Sequence, residues 1–561
     1  MSTIQQFKPG EQPSRVPRGS ACLSCRRRKM KCDGVKPVCG QCVHMEREFD
    51  CEYTDGPTPS LTQVLEKNVT RLEARIKELE ALEAEGKRSR KSPTASTSNT
   101  SLAPSAGPGI SQGIDPNENV VSSDPKIEPH PAIVHLLVSI FVPYASQVGF
   151  FLNFARFLDA VYSPDATSRR ALLSPTLLDA VLLWGAHLST NESLRAHENT
   201  FLSRAVKSVA DAIPQVSAQR HNAIHLIQAE VLLSNYFFCQ ARELEGTYHC
   251  SAAVSLALSC RLNLVRSLTT DTTGILPLPV DTIEEGERIN AFWAVYTLDR
   301  SWSVAQGSLS SDVFVGVRID TPWPVEMRSY EDSGLSPDIR GSNTILNFFN
   351  DPHPELTMDG LSALALRAKG AALFEKATRL ASQWTPGMVN PDAYYLEVFQ
   401  VDNLIRRFAE TLLPLTTPEV TANPEITANL LVTHTFACVS AIRLHSNFDI
   451  IGAATNPTGL SAGIEKSDLI AARAAVVFID SVHLEDLPFL DPILAVLWYT
   501  VCKVFVDAIV VNPAVRQDLV ISLRKVMHAM AKYAPLSPLM SVRLNQIRQD
   551  LSRLGSLIPP V

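Results

Sequence analysis

The chain lacks the short motifs that carry much of common enzyme chemistry. No Walker phosphate loop, no HExxH and no glycine-rich dinucleotide motif occurs in its 561 residues, which removes the first grounds for reading an NTPase, a zinc protease or a dehydrogenase. Period-two alternation of apolar and polar residues is almost absent, which argues against a β-rich body. The opening MSTIQQFKPGEQPSRVPRGS has no apolar core, so no secretory signal is read there and the expectation is an intracellular protein. The least polar stretch, Ile133 to Phe154, has no acids or lysines but carries His135, Pro143, Ser146, Gln147 and Asn153. Those groups are costly in lipid, so the stretch reads as a buried helix pair and no membrane partner is expected.

What the chain does have is a sharp asymmetry of charge. Residues 1–91 carry 18 Lys+Arg against 13 Asp+Glu, a net of +5, while residues 92–561 carry 33 against 45, a net of −12. From Arg15 to Arg47 nine basic residues meet only Asp33 and Glu46. A window that positive suits a polyanion.

Six of the eleven cysteines fall in the same window, at the spacing C-x2-C-x6-C-x6-C-x2-C-x8-C: Cys22, Cys25, Cys32, Cys39, Cys42 and Cys51. An odd total and no read signal favour metal over a disulfide framework. Structural zinc takes four ligands, so one ion would leave two cysteines idle, and two ions can share six thiolates only if two of them bridge. The segment is a pseudo-repeat, CxxC-x6-C then CxxC-x8-C, and symmetry makes its leading members, Cys22 and Cys39, the bridging pair. Between Cys22 and Cys51 the sizeable apolar groups are too few to fold so small a unit unaided. His44 finds no vacancy in such a cluster and reads as a surface residue. The other cysteines, Cys239, Cys250, Cys260, Cys438 and Cys502, stand singly in apolar surroundings and read as core.

These residues, with the basic run after the second cysteine and Lys36-Pro37 before the fourth, resemble the fungal zinc binuclear cluster family of transcription regulators. The resemblance implies two zinc ions per chain, duplex DNA as partner, a nuclear location and control of RNA polymerase II genes. It also implies that Lys29, assisted by Arg28, reads a CGG-type triplet. Arg26, Arg27, Lys31 and Arg18 are then expected on phosphates. Charge distribution supports an anion-facing first half, since Arg26 to Lys31 has no counterpart in the second half, where Arg47 stands among Glu46, Glu48 and Asp50. The competing reading is a zinc-cluster interaction module or corepressor without sequence-specific DNA binding. Enzymatic activity is not expected.

Further along, Leu65, Val69, Leu72, Ile76 and Leu79 step by 4, 3, 4 and 3, a heptad seam with β-branched residues at a and leucine at d that favours a parallel two-stranded coil and a homodimer. Residues 87–130 are rich in Ser, Thr and Pro and read as a disordered linker. Its first residues, Lys87 to Lys91, are the import candidate. From 131 onward apolar residues recur at helical spacing. Two stretches, 241–263 and 287–307 followed by IDTPWP, resemble the fungal transcription-factor regulatory domain, which implies coregulators and a small-molecule effector as partners.

The expected architecture is mainly α: a flexible arm (1–19), a zinc-cluster DNA-binding knob (20–54), a linker with a short coiled coil (55–86), the disordered linker (87–130) and a large all-helical regulatory domain (131–561). Phe292, Trp293 and Tyr296 are expected in its core, with Arg288, Asp299 and Arg300 as ion pairs pinning helices. The insert 325–358, with Phe348 and Phe349, is a candidate contact for the transcription machinery.

Overall fold

A computed structural model describes residues 21–33, 35, 38–45, 129–163, 165–215, 221–268, 276–307, 313–350, 360–385, 388, 391–446, 467–511 and 516–553. The chain divides into two units, residues 1–112 and 113–561. The heptad seam, the linker with its basic run, Arg18 and Cys51 lie outside the described residues.

In the first unit the two CxxC motifs each open a one-turn helix, α1 (Leu23–Arg27) and α2 (Gly40–His44). Cysteine does the capping at both. Cys22 Sγ accepts from the Cys25 N–H at 3.4 Å, and Cys39 Sγ accepts from the Cys42 N–H at the same distance. Each sulfur thereby satisfies one of the amides that a helix start leaves open.

The regular elements among the described residues of the second unit are all helices, with no strand and one isolated bridge between Ser267 and Gly341. Its main helices are α3 (Pro131–Phe141), α4 (Phe154–Val161), α5 (Pro175–His187), α6 (Glu198–Ala212), α7 (Asn222–Cys239), α8 (Glu243–Ser259) and α9 (Thr282–Ala305). They continue with α10 (Ala363–Ser382), α11 (Pro391–Thr411), α12 (Pro424–His445), α13 (Ser467–Asp480), α14 (Leu494–Val511), α15 (Arg516–Tyr533) and α16 (Pro538–Arg553). Helices α10 and α12 form the central pair, flanked by α9 on one side and α13 on the other. Helix α5 packs on α3, α6 and α7, and α14 packs on α15 and α16.

Ile133 to Phe154 is not a helix pair. It is α3 continued by a 3-10 segment (Val142–Val148) that turns at Gly149, with φ +85. The proline and the polar groups break the pattern there. By length and composition alone, Pro131–Val148 and Pro424–His445 could cross a membrane, but the second is 83% buried inside the protein and the first 39%. Leu137, Val138 and Phe141 of α3 are fully buried against α5. Gly185 makes that contact close, because a Cβ there would lie 2.4 Å from the Leu137 carbonyl oxygen.

The long helix α9 behaves as its sequence implies. Phe292, Trp293 and Tyr296 are buried, and Trp293 stacks on Trp323 at 4.2 Å while its indole N–H donates to the Pro322 carbonyl. The ion pairs differ in partner from a simple pinning set. Arg288 pairs with Glu284 of its own helix, and Arg300 pairs with Asp299 and reaches Glu375 of α10 at 3.9 Å. Only Arg300 ties two helices together. Asp320, fully buried in the IDTPWP segment, would be pushed up by burial, but the Ser267 hydroxyl, the Asn343 N–H and Arg318 hold its carboxyl below the usual range. That segment is a latch over α9. The insert aromatics are not displayed for a partner: Phe348 is buried edge-on to Trp323, and Phe349 sits half-buried under Lys376.

A second buried network joins α5, α6 and α7 to the loop before α16. His187 Nδ1 lies 2.9 Å from Glu198 Oε1, and its Nε2 lies 2.9 Å from the Leu536 carbonyl. Both ring nitrogens face acceptors, which suits an imidazolium. Burial pushes the His187 pKa down, but its hydrogen bonds to Cys239 and Glu198 outweigh this and hold it up to about 10. The raised value means that the stabilisation is complete below the ordinary value of 6.5 and is lost as pH climbs towards 10. A His187→Gln variant should therefore be less stable than the natural chain at pH 6, with the gap closing by more than about 1 kcal/mol by pH 10. Denaturant unfolding across that range checks it, and a constant gap would contradict the assignment.

Candidate metal centre and nucleic-acid interface

The knob has a core made of sulfur. Among the described residues Cys22, Cys25, Cys39 and Cys42 are its buried apolar core, with Cys32 and Val38 packed against them, while Val35, Val43 and Met45 are exposed. The Sγ separations are 3.7 Å for Cys22–Cys39, 3.7 Å for Cys25–Cys39, 3.8 Å for Cys22–Cys42 and 4.0 Å for Cys25–Cys42. A tetrahedron with zinc–sulfur bonds of about 2.3 Å has edges of about 3.8 Å, so these sulfurs already stand at ligand spacing. Cys32 joins from the other side, its Sγ 3.5 Å from the Cys22 backbone nitrogen and grouped with Cys39 and Asp33.

Cys39 takes part in both sulfur groupings. Burial raises its pKa, but the Cys42 N–H and the thiols of Cys42, Cys25 and Cys32 favour the thiolate and bring it down to about 6. Cys25 moves the other way, pushed up by burial and by its bonds to Cys22, Cys39 and Cys42. His44 is exposed at the end of α2, as its lack of a vacancy implies.

Two residues that hold the halves together were not singled out by their sequence. Asp33, directly after the third cysteine, accepts from the Gly40 N–H at 2.9 Å and the Val35 N–H at 3.3 Å. A Cβ at residue 40 would meet Asp33 Oδ2 at 2.6 Å, so the glycine lets the carboxylate reach the start of α2. An aspartate followed seven residues later by a glycine, with a proline between them in the sequence, was the available signal.

Helix α1 ends under the basic run. The Met30 N–H bonds the Cys25 carbonyl at 2.9 Å and the Lys29 N–H bonds that of Arg26 at 3.2 Å, the paired bonds of a Schellman cap. Lys29 occupies the left-handed position of that cap, with φ +55, where glycine is the usual residue. Arg26, Arg28, Lys29 and Lys31 are all exposed on this side. The backbone of Arg27 lies in the last turn of α1.

The string GLSAG, Gly459 to Gly463, matches the G-x-S-x-G elbow pattern and also escaped the motif reading. It lies outside the described residues, and an elbow needs a preceding strand, of which the described residues hold none. The five scattered cysteines are buried. His249, beside Cys250, is turned to Glu230, its Nδ1 2.6 Å from Oε2, and burial raises the Cys250 thiol. No nucleophile–base pair forms there.

Comparison with known proteins places both units. Residues 20–60 match the fungal Zn(2)-Cys(6) binuclear cluster domain, and residues 139–382 match the fungal specific transcription factor domain. The chain is 26% identical over 329 residues to the citrinin biosynthesis transcriptional activator mrl3 of Monascus ruber, covering 51% of this chain and 60% of that protein. It is 40% identical over 62 residues to the transcription factor FBD3 of Gibberella moniliformis, covering 11% of this chain and 8% of that one. It is 48% identical over 46 residues to the chromatin structure-remodeling complex protein RSC30 of Saccharomyces cerevisiae, covering 8% and 5%. The chain thus spans less than two thirds of each of these relatives. No solved structure matches.

Replacing Asp33 with alanine should weaken zinc binding about tenfold, the lower end of what an outer-shell partner costs, while two zincs still bind at saturation. Competition with a chromophoric chelator measures both quantities. An affinity equal to that of the natural chain would contradict the clamp.

Proposed function

Because the chain belongs to the fungal Zn(2)-Cys(6) binuclear cluster transcription factors, we propose that it is a nuclear regulator that reads CGG-type triplets in duplex DNA as a homodimer. The domain holds two zinc ions, which supply the cross-link that an apolar core would otherwise provide. We assign Cys22 and Cys39 as the bridging thiolates. Supporting this are their complete burial and their matching places as caps of α1 and α2. Cys51 completes the set of six from outside the described residues.

The observation that carries the DNA reading is the backbone of Lys29. A lysine in the left-handed region costs roughly 1 kcal/mol that glycine would not, and of the five non-glycine residues at positive φ among the described residues Lys29 is the one in the basic run, where such a broken rule points to function. That conformation ends α1 and turns the chain so that a long cation projects just past the helix. Lys29 is the base-reading residue in this account, with Arg28 beside it on the capping residue of α1. Arg26, Arg27 and Lys31, with Arg18 on the arm, contact phosphates, giving affinity without sequence preference.

Dimerisation through Leu65, Val69, Leu72, Ile76 and Leu79 rests on their heptad spacing alone. The domain boundaries proposed from the sequence keep the knob at 20–54 and the regulatory body at 131–561, beginning one residue beyond the His130 cap of α3. Coregulators and a small-molecule effector are the partners proposed for that body. The relatives named as transcriptional activators favour regulation over catalysis.

Lys29→Gly separates the roles, because glycine suits the cap and removes only the side chain. The variant should keep two zincs and lose discrimination between a CGG-type triplet and a mismatched one by about 1–3 kcal/mol. Lys31→Ala should weaken binding to every duplex alike and lower the slope of log affinity against log salt by about 1. Fluorescence anisotropy over a salt series reads both. Full discrimination by Lys29→Gly, or none by the natural chain, would overturn the reading and favour a protein-interaction module.

A further inference from the structure

The second unit encloses a cavity of about 330 Å³, at the small end of the range for ligand sites. It opens between the Gly149 turn, α9, the start of α10 and the start of α12. Its walls include five aromatic residues, Phe150, Phe151, Phe154, Trp302 and Phe436. A helical core of this size closes voids unless something holds them open. Here a polar frame does so. Gln228 donates to the Gly149 carbonyl and accepts from the Phe151 N–H, and Asn235 donates to the Val148 carbonyl, so the turn is pinned against α7 and is not free to fill the cavity.

The electrostatics of the lining select the occupant. One cation faces the cavity, Arg367: its Nη2 donates to the Asp491 carboxylate and its Nη1 to the Ser146 carbonyl and Asn429 Oδ1, while its buried Nε has no hydrogen-bond partner among the described residues. Three further carboxylates line the opening, Glu326, Glu331 and Glu425, all on exposed residues; Glu326 accepts from the Ala363 N–H and Glu331 from the Asn153 side-chain amide, each through one oxygen. Four acids against one base leave the lining strongly negative. An anion would have to pass the carboxylates and would meet a guanidinium whose charge Asp491 already balances. Deeper in, Asn290 is 7% exposed, its amide nitrogen donates to the Phe151 carbonyl at 3.4 Å, and its Oδ1 has no hydrogen-bond partner among the described residues. A buried acceptor left open favours a donor on the ligand. Aromatic faces beside carboxylates also suit a cation with an apolar body.

We propose that this cavity is a binding site for a small aromatic amine, its ring among the phenylalanines and Trp302 and its ammonium group served by the carboxylates of the opening. Every residue in the argument belongs to the helical unit, so the site stands or falls independently of DNA reading by the knob.

Calorimetric titration of the full zinc-loaded chain tests it, with tryptamine as probe and two molecules of the same ring system, 3-methylindole and indole-3-acetate, as neutral and anionic comparisons. Tryptamine should bind saturably at one site per chain and at least tenfold more tightly than indole-3-acetate. Glu425→Gln, a change at an exposed residue, should weaken tryptamine several-fold and leave 3-methylindole unchanged. Ala294→Phe, which fills the cavity from α9, should abolish binding of all three. Where that variant does not fold, as judged by circular dichroism, Glu425→Gln alone decides. Absence of saturable tryptamine binding, equal or tighter binding of indole-3-acetate, or unchanged tryptamine affinity in either folded variant would overturn the proposal.

Discussion

Four sulfur atoms packed at ligand distance stand where a small domain would otherwise need a hydrophobic core. Everything the N-terminal unit does depends on that substitution. Its two helices are only five residues each, too short to persist alone. They form because a cysteine caps each one and the cap sulfurs of the two meet. The same cysteines thus close the local structure and the tertiary structure at once. This is why the basic edge can be presented from so little chain, and why Asp33 and Gly40 matter although neither touches DNA in this account.

The helical body follows the ordinary rule, with burial supplied by apolar stripes and polar residues spent on fixing particular contacts. Arg300, Asp320 and His187 each sit in a buried network that joins elements far apart in the chain. Such networks cost desolvation and are retained where geometry must be specific. Beside the 330 Å³ cavity, Gln228 and Asn235 pin the Gly149 turn against α7, and the cavity stays open between that turn, α9 and the starts of α10 and α12.

Much of this was legible in the residues because it depended on short-range spacing. Cysteines at x2, x6 and x8 intervals, a basic run locked between two of them and a helical period over the body are local patterns, and they led to the metal, the polyanion and the fold class. What escaped was set by contacts between distant segments or by backbone angles. Nothing in CRRRKMK tells that Lys29 takes the position of a cap glycine. Nothing near Phe348 tells that it will pack on Trp323 rather than face a partner. Arg288 and Arg300 were read as one kind of ion pair, and only the second joins two helices. Ile133 to Phe154 was read as a helix pair, but its shape, a helix running into a 3-10 turn, depended on Gly149.

The central claim is that six thiolates serve two metal ions by sharing two of their number. X-ray absorption at the zinc edge, on reduced full-length protein of measured metal content, tests it most directly. The account predicts two zincs per chain, each with four sulfurs at about 2.3 Å and no nitrogen or oxygen in the shell, since six cysteines can fill eight positions only by bridging. A shell containing a nitrogen or oxygen donor, or all-sulfur coordination of a single zinc per chain, would contradict it.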